Sequence, residues 1–194
     1  SITSKEFIRT MIPFPNKKYN IIYADPAWSF SSKELQKYDG KRFTTIEKHY
    51  PTVSKDWIKN LPVQDISQND CALFLWTTDA HMEEAIETIN AWKFKYKTIA
   101  FVWEKKTKHG KTVANLGAWT MKNYEICLLA TKGQMLKHKK VNNIYQKVEA
   151  ERTKHSRKPK EVRDNIERLF GDLPRIELFA REKTEGWDVW GNEV

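Results

Sequence analysis

The sequence is poor in glycine and cysteine, and it has no long apolar run. With seven glycines, it contains no Gly-x-Gly-x-x-Gly segment, which disfavours a dinucleotide-binding oxidoreductase. The two cysteines, Cys71 and Cys127, stand far apart in apolar segments, so neither a disulfide framework nor a zinc site is suggested. No segment approaches the ~20 apolar residues of a membrane helix, and residues 1–18 lack the apolar stretch of a signal peptide. We therefore expect a cytoplasmic protein.

The composition is that of a folded domain with a basic surface. Hydrophobic residues make up 40% of the chain and aromatic residues 12%, which excludes a disordered or low-complexity chain. A length of 194 residues suits a single domain, so we treat 1–194 as one unit. The net charge of +9 favours a polyanionic partner without identifying it. The five histidines have no metal-ligand spacing with acids or cysteines, so no metal is expected.

Much of the positive charge is concentrated late in the chain. Residues 132–160 carry ten lysines and arginines against two acids. Such a run is compatible with a solvated surface and with nucleic-acid binding, and the interleaved His138, Tyr145 and His155 favour nucleic acid. We expect phosphate contacts from Lys137, Lys139 and Lys140.

Short apolar runs alternate with helical patterns, which predicts an α/β fold with a mainly parallel sheet. The predicted strands are 19–24, 71–76, 96–102, 125–130 and 175–179. One helix is expected after Asp79 as its N-cap, a second from Pro159 to a C-cap at Gly171, and a short one over 54–61. Residues 104–111 and 132–160 are expected to be mobile loops.

The most informative segment is Asp25-Pro26-Ala27-Trp28, which directly follows an apolar strand. Ligands of open α/β sheets bind beyond the carboxyl ends of the strands. The exocyclic amine of a nucleobase is a poor nucleophile, because its lone pair is delocalised into the ring. A carboxylate and a backbone carbonyl can each accept one of its N–H bonds while an aromatic side chain stacks on the ring. Asp25, the Pro26 carbonyl and Trp28 provide these groups, unless Asp25 only ends a strand and Trp28 only fills the core.

This tetrapeptide resembles the Asp-Pro-Pro-Trp motif of the adenine N(6)-methyltransferases of the MT-A (seventy-kilodalton subunit) type, in their compact bacterial and phage form. Further segments resemble that family in its order. They are Leu73-Phe74-Leu75-Trp76-Thr77, Leu116-Gly117-Ala118-Trp119-Thr120 with Glu125, His155-Ser156-Arg157-Lys158-Pro159, Ile176-Glu177-Leu178-Phe179-Ala180-Arg181 and Gly186-Trp187-Asp188-Val189-Trp190-Gly191-Asn192-Glu193.

The resemblance implies a Rossmann-like class I methyltransferase fold with permuted motif order, a mainly parallel sheet flanked by helices, and S-adenosylmethionine as methyl donor. It implies a cofactor pocket formed by Asp25, Lys158, Glu177, Arg181, Asn192 and Glu193. On the acceptor side, Tyr50, Trp76, Trp119 and Glu125 are candidates for holding the target adenine, and Trp76 and Trp119 are either base platforms or core residues. The product proton is expected to leave after transfer, because no histidine is placed with the partners of a base.

The reaction implied is methyl transfer to the N(6) amine of adenine in DNA. Two alternatives remain: the same reaction on RNA, and a catalytically degenerate subunit that binds nucleic acid. Both a monomer and a homodimer are compatible with the sequence. Ala27 stands where the family has proline, which loosens the turn. Ala118 stands where close relatives have arginine, so a phosphate or acceptor contact is expected to be missing.

Overall fold

The computed structural model describes residues 12–28, 56–153 and 157–194. Tyr50 and His155 lie outside the described residues, as does the beginning of the predicted helix 54–61. Their predicted roles therefore stay predictions.

A single mixed sheet organises the described residues. Its strands are β1 Tyr19–Ala24, β2 Ser67–Thr77, β3 Lys95–Lys106, β4 Tyr124–Lys132, β5 Lys147–Glu151, β6 Arg175–Leu178 and β7 Asp188–Trp190. They lie in the order β5-β3-β4-β2-β1-β6-β7. Among these seven, only β4 runs antiparallel to its neighbours β2 and β3. The mainly parallel Rossmann-like sheet predicted from the sequence is confirmed.

Both faces of the central strands are buried, which explains why the strands read as continuous apolar runs. In β1, Ile22 and Ala24 belong to one apolar cluster, whereas Ile21 and Tyr23 belong to the other. Helices α1 Trp57–Asn60 and α2 Met82–Ala91 cover the first face, and α3 Lys160–Phe170 covers the second.

The helix predicted from Pro159 to Gly171 is confirmed, whereas the helix predicted after Asp79 begins later than expected. Helix α3 follows Pro159 and ends at Gly171, whose φ of 72° is the left-handed value that glycine tolerates best. Asp79 is not an N-cap, because a 3-10 turn over Asp79–His81 precedes α2 and the Asp79 carboxylate pairs with Lys122 at 2.8 Å. None of the helices in the described ranges has the length and apolar character needed to cross a bilayer.

The two predicted loops are partly ordered sheet, so that prediction is wrong. Strand β3 continues to Lys106, and β5 pairs with it in parallel. Charged side chains support the pairing of β3 with β5, because Glu104 contacts both Lys106 at 3.3 Å and Lys147 at 2.9 Å. Strand β7 has only three residues and was also not predicted.

A buried hydrogen bond between β1 and β2 gives a test of this packing. Trp76 Nε1 donates to the Tyr23 hydroxyl at 2.7 Å, and both side chains are 1% exposed. Tyr23→Phe would leave that N–H unsatisfied, so we expect a loss of about 1–3 kcal/mol in the free energy of unfolding. Tyr19→Phe is the matched control on the same strand. The Tyr19 hydroxyl donates to Asp188, and without it Asp188 still has Lys17 and solvent as hydrogen-bond partners. Urea denaturation should show the smaller loss for Tyr19→Phe, and the reverse order would contradict the assignment.

Candidate active site

The carboxyl ends of the parallel strands form one edge of the sheet. Asp25 follows β1, Thr78 follows β2, Arg181 lies just beyond β6 and Asn192 just beyond β7. Because β4 is antiparallel, it brings its beginning to the same edge, and Glu125 is its second residue. The edge therefore collects polar residues that are distant in sequence.

A pocket of about 280 Å³ opens at this edge. It contains eight of the residues predicted from the sequence, namely Asp25, Pro26, Ala27, Trp28, Trp76, Glu125, Lys158 and Arg181. It also contains Thr77, Thr78 and His81, which the sequence reasoning missed. The two threonines directly follow an apolar strand, so the rule that located Asp25 would have found them.

A chain of alternating charges lies along the pocket. Lys158 Nζ is 3.1 Å from Asp25 Oδ2 and 3.1 Å from Glu125 Oε1. The other oxygen of Glu125 lies 2.9 Å from Lys105. The Lys158 side chain is only 9% exposed, so its charge is held by these carboxylates rather than by water.

Burial and the ion pairs act in opposite directions on the pKa values of this chain. Burial raises the pKa of Asp25 above its usual range, and Lys158 only partly offsets this. Burial alone would also raise the pKa of Glu125, but Lys158 and Lys105 together lower it. Burial opposes the charge of Lys158, yet Asp25 and Glu125 outweigh that effect and raise its pKa. Glu125 and Lys158 therefore stay ionised, and Asp25 is the more basic carboxylate.

Asp25 keeps one oxygen for a ligand. Lys158 contacts Oδ2, and within the described residues no hydrogen bond reaches Oδ1. Pro26 follows it and has a backbone carbonyl but no N–H. The indole N–H of Trp28 donates to the Trp76 carbonyl at 3.1 Å, which fixes the position of that ring beside the pocket.

The predicted role of Trp76 as a base platform is not supported. Its ring is 1% exposed, so no face is available for stacking. Its N–H binds Tyr23, and the ammonium of Lys158 lies 5.4 Å from its ring centre. Trp76 therefore supports Lys158 from below through a cation–π contact.

Trp119, predicted to hold the target adenine, does not line the pocket, and neither do the three lysines that were predicted to contact phosphates. Trp119 is 95% exposed in the segment between β3 and β4. Lys137, Lys139 and Lys140 follow β4 and therefore lie at the opposite edge of the sheet, where Lys137 pairs with Asp70 at 3.1 Å. From Asp70 to the pocket end of β2 is about 23 Å at roughly 3.3 Å per residue.

The remaining predicted cofactor residues lie close to the pocket without lining it. Glu177 binds Arg163 through both oxygens, at 3.1 and 3.4 Å. Asn192 and Glu193 follow β7. The backbone N–H of Ala180 donates a hydrogen bond of 3.0 Å to the carbonyl of Trp190, the last residue of β7. A cleft of about 730 Å³ extends along the start of α3 and is lined by Arg163, and Lys158 lines both this cleft and the pocket.

His81 corrects the expectation that no histidine would be placed with the partner of a base. Its Nδ1 lies 2.9 Å from Glu84 Oε2, one turn along the chain, and it lines the pocket. A carboxylate on one ring nitrogen fixes the orientation of the imidazole.

The charge chain predicts how neighbouring substitutions move the titration of Asp25. Lys158→Met removes the cation that lowers the pKa of Asp25, so this pKa should rise further. Glu125→Gln removes a carboxylate that raises it, so the pKa should fall towards its usual range. Carbon-13 NMR titration of the Asp25 carboxyl group measures both. Opposite shifts are expected, and shifts of the same sign would contradict the arrangement.

Residues 19–193 match the family model described as MT-A70. The chain is 38% identical over 193 residues to the type II methyltransferase M.MunI of Mycoplasma sp., covering 93% of this chain and 79% of that protein. It is 28% identical over 181 residues to the probable N(6)-adenosine-methyltransferase MT-A70-like of Oryza sativa subsp. japonica. It is 27% identical to the human N(6)-adenosine-methyltransferase catalytic subunit METTL3. These two matches cover 91% of this chain but only 23% and 28% of the plant and human proteins.

Proposed function

The chain belongs to the MT-A70 family of methyltransferases, and from this premise we propose that it transfers a methyl group from S-adenosylmethionine to the N(6) amine of adenine in DNA. The observation that carries the proposal is the position of Asp25. Lys158 holds one oxygen of its carboxylate, no hydrogen bond from the described residues reaches the other, and Pro26 and Trp28 line the same pocket.

Three groups of the pocket match the needs of an adenine amine. Asp25 Oδ1 and the Pro26 carbonyl each accept one N–H bond, which localises the nitrogen lone pair and directs it out of the plane of the base. Trp28 provides the aromatic face, and its bond to the Trp76 carbonyl keeps the ring in place. None of these three groups belongs to residue 27. Replacement of the family's proline by Ala27 therefore leaves all the groups that would bind the adenine in place.

The residues present also fit a methyl donor that carries a carboxylate, an amino group and a nucleoside. Lys158 and Arg181 offer cations at the pocket, Asp25 offers a carboxylate, and Asn192 and Glu193 offer hydrogen-bonding groups beside Ala180. When bound, S-adenosylmethionine supplies an electrophilic methyl group on its sulfonium. Lys158 borders both cavities, so one side chain can contact two ligands at once. Glu177 would contribute by holding Arg163 at the wall of the larger cleft.

His81 gives the proton of the product a destination. Methylation of a neutral amine leaves an extra proton on the nitrogen, and a neutral imidazole can accept it. His81 lines the pocket, and its contact with Glu84 at 2.9 Å holds the ring in place.

The choice of DNA over RNA rests on the extent of the similarity. The chain spans most of the Mycoplasma type II methyltransferase, whereas it spans about a quarter of the plant and human proteins. The names of the plant and human proteins specify adenosine, a ribonucleoside, so RNA is the second candidate. Matched DNA and RNA oligonucleotides, digested and analysed by mass spectrometry for the methylated nucleoside, decide between them.

Asp25→Ala should abolish methyl transfer because it removes the acceptor of one N–H bond. Affinity for S-adenosylmethionine, measured by calorimetry, should stay within about tenfold, or 1.4 kcal/mol, of the unmodified protein. Asp65→Ala is the control, since Asp65 is an exposed acid outside the pocket lining. An Asp25→Ala protein with normal turnover would refute the proposed mechanism.

The position of the lysines predicts which of them contact the nucleic-acid backbone. Lys108 and Lys111 are exposed in the β3–β4 hairpin (residues 107–123), at the pocket edge of the sheet. Replacing both with Gln should reduce the slope of log affinity against log salt by about two, one for each phosphate contact. The triple change of Lys137, Lys139 and Lys140 to Gln should leave the slope nearly unchanged, because those residues lie at the far edge. A larger effect of the triple change would restore the role predicted from the sequence.

A further inference from the structure

Within the described residues, the β3–β4 hairpin exposes three large apolar side chains that the pocket does not use. Isolated bridges join Lys106 to Thr112 and Asn115 to Lys122, so the hairpin is an ordered extension of the sheet. Leu116 is 90% exposed, Trp119 95% and Met121 54%. Large apolar side chains at such exposure indicate a contact surface rather than a core.

The tip of the hairpin is a six-residue loop, 116–121, between the paired residues Asn115 and Lys122. At Gly117 a side chain would collide with the Thr120 carbonyl oxygen and with Lys122, so the backbone can close here only with glycine. Asn115 and Lys122 exchange backbone hydrogen bonds of 2.8 Å in both directions directly below the loop. Trp119 is therefore presented by a closed loop and projects into solvent.

The hairpin is attached at the rim of the pocket. Lys122 pairs with Asp79 at 2.8 Å, and Asp79 lies between Thr78 and His81, which both line the pocket. Trp119 is three residues from Lys122, so their Cα atoms are at most about 11 Å apart. Trp119 therefore lies within about 11 Å, Cα to Cα, of the residue that ties the hairpin to the rim, and it does not line the pocket.

We propose that the β3–β4 hairpin is a wedge that inserts Trp119 into double-stranded nucleic acid at the position vacated by the target base. This proposal rests on the proposed function, because an adenine can reach the Asp25 pocket only after leaving its stack. Leaving the stack costs a few kcal/mol, and an aromatic ring in the gap restores stacking with the neighbouring bases. Leu116 and Met121 would pack against the same opening.

The charge of the hairpin favours nucleic acid over a protein partner. Residues 107–123 contain Lys108, Lys111, Lys122 and His109 and no acidic residue. Lys122 is held by Asp79, while Lys108 and Lys111 are exposed on the same hairpin as the apolar tip. Apolar side chains flanked by cations match stacked bases flanked by phosphates.

The test measures binding rather than methylation, so it needs no knowledge of the target sequence. The probes are two 20-base-pair DNA duplexes that differ only in one central abasic site. The unmodified protein should bind the abasic duplex about tenfold more tightly, because the gap accepts Trp119 without loss of a base stack. Trp119→Ala should abolish this preference, and Trp119→Phe should keep most of it.

The controls distinguish insertion of Trp119 from general aromatic contact and from self-association. Tyr145→Ala removes an aromatic side chain that is 84% exposed on the β5 side of the sheet, and the preference should remain. Equal affinity of the unmodified protein for both duplexes would overturn the proposal, as would a preference that survives Trp119→Ala. A dimer in sedimentation velocity that Trp119→Ala converts to a monomer would also overturn it, because the tip would then bind a second copy.

The outcome is distinguishable from a failure of the proposed function. Methyl transfer is measured in parallel on a pool of duplexes with randomised sequence, so that every short target sequence is present. A gap preference that depends on Trp119 without any transfer would refute the proposed reaction and leave the wedge intact. Transfer without a gap preference would refute the wedge and leave the reaction intact.

Discussion

The pocket depends on one buried cation. Lys158 Nζ is 3.1 Å from a carboxylate that follows β1 and 3.1 Å from another at the start of β4, and it precedes the first turn of α3. A buried ammonium is costly to desolvate, and its cost is offset only when its partners are well placed. Asp25, Glu125 and the ring of Trp76 are those partners. The cation therefore ties two strands and a helix together at the functional edge of the sheet.

The antiparallel strand makes this cation possible. In a fully parallel sheet, the beginning of β4 would lie at the opposite edge, and Glu125 would be too far from Asp25 to share a lysine. Glu125 in turn holds Lys105 at 2.9 Å, so the charge chain extends to β3. Burial leaves Asp25 the more basic carboxylate of the pair, and a more basic oxygen is the better acceptor for an amine N–H.

Local signals were reliable where neighbouring residues decide the outcome. The apolar runs became β1, β2, β3, β4 and β6, and the Pro159 and Gly171 signals marked both ends of α3. They were unreliable where distant charges decide. Residues 147–151 lie in the segment predicted to be a mobile loop, yet Lys147 pairs with Glu104 of the neighbouring strand and the segment forms β5. Asp79 reads as an N-cap, yet Lys122 occupies its carboxylate and a 3-10 turn begins α2.

The sequence by itself determined the α/β class, the family and the tetrapeptide Asp25-Pro26-Ala27-Trp28, because periodicity, turn chemistry and motif order are properties of adjacent residues. Only the tertiary structure decided which side chains share the pocket. It buried the ring of Trp76 beneath Lys158, left Trp119 in solvent, and separated Lys137 from the pocket by the length of β2. The reason is that strand direction and register set which edge of the sheet a residue reaches, and both depend on pairing between segments far apart in the chain.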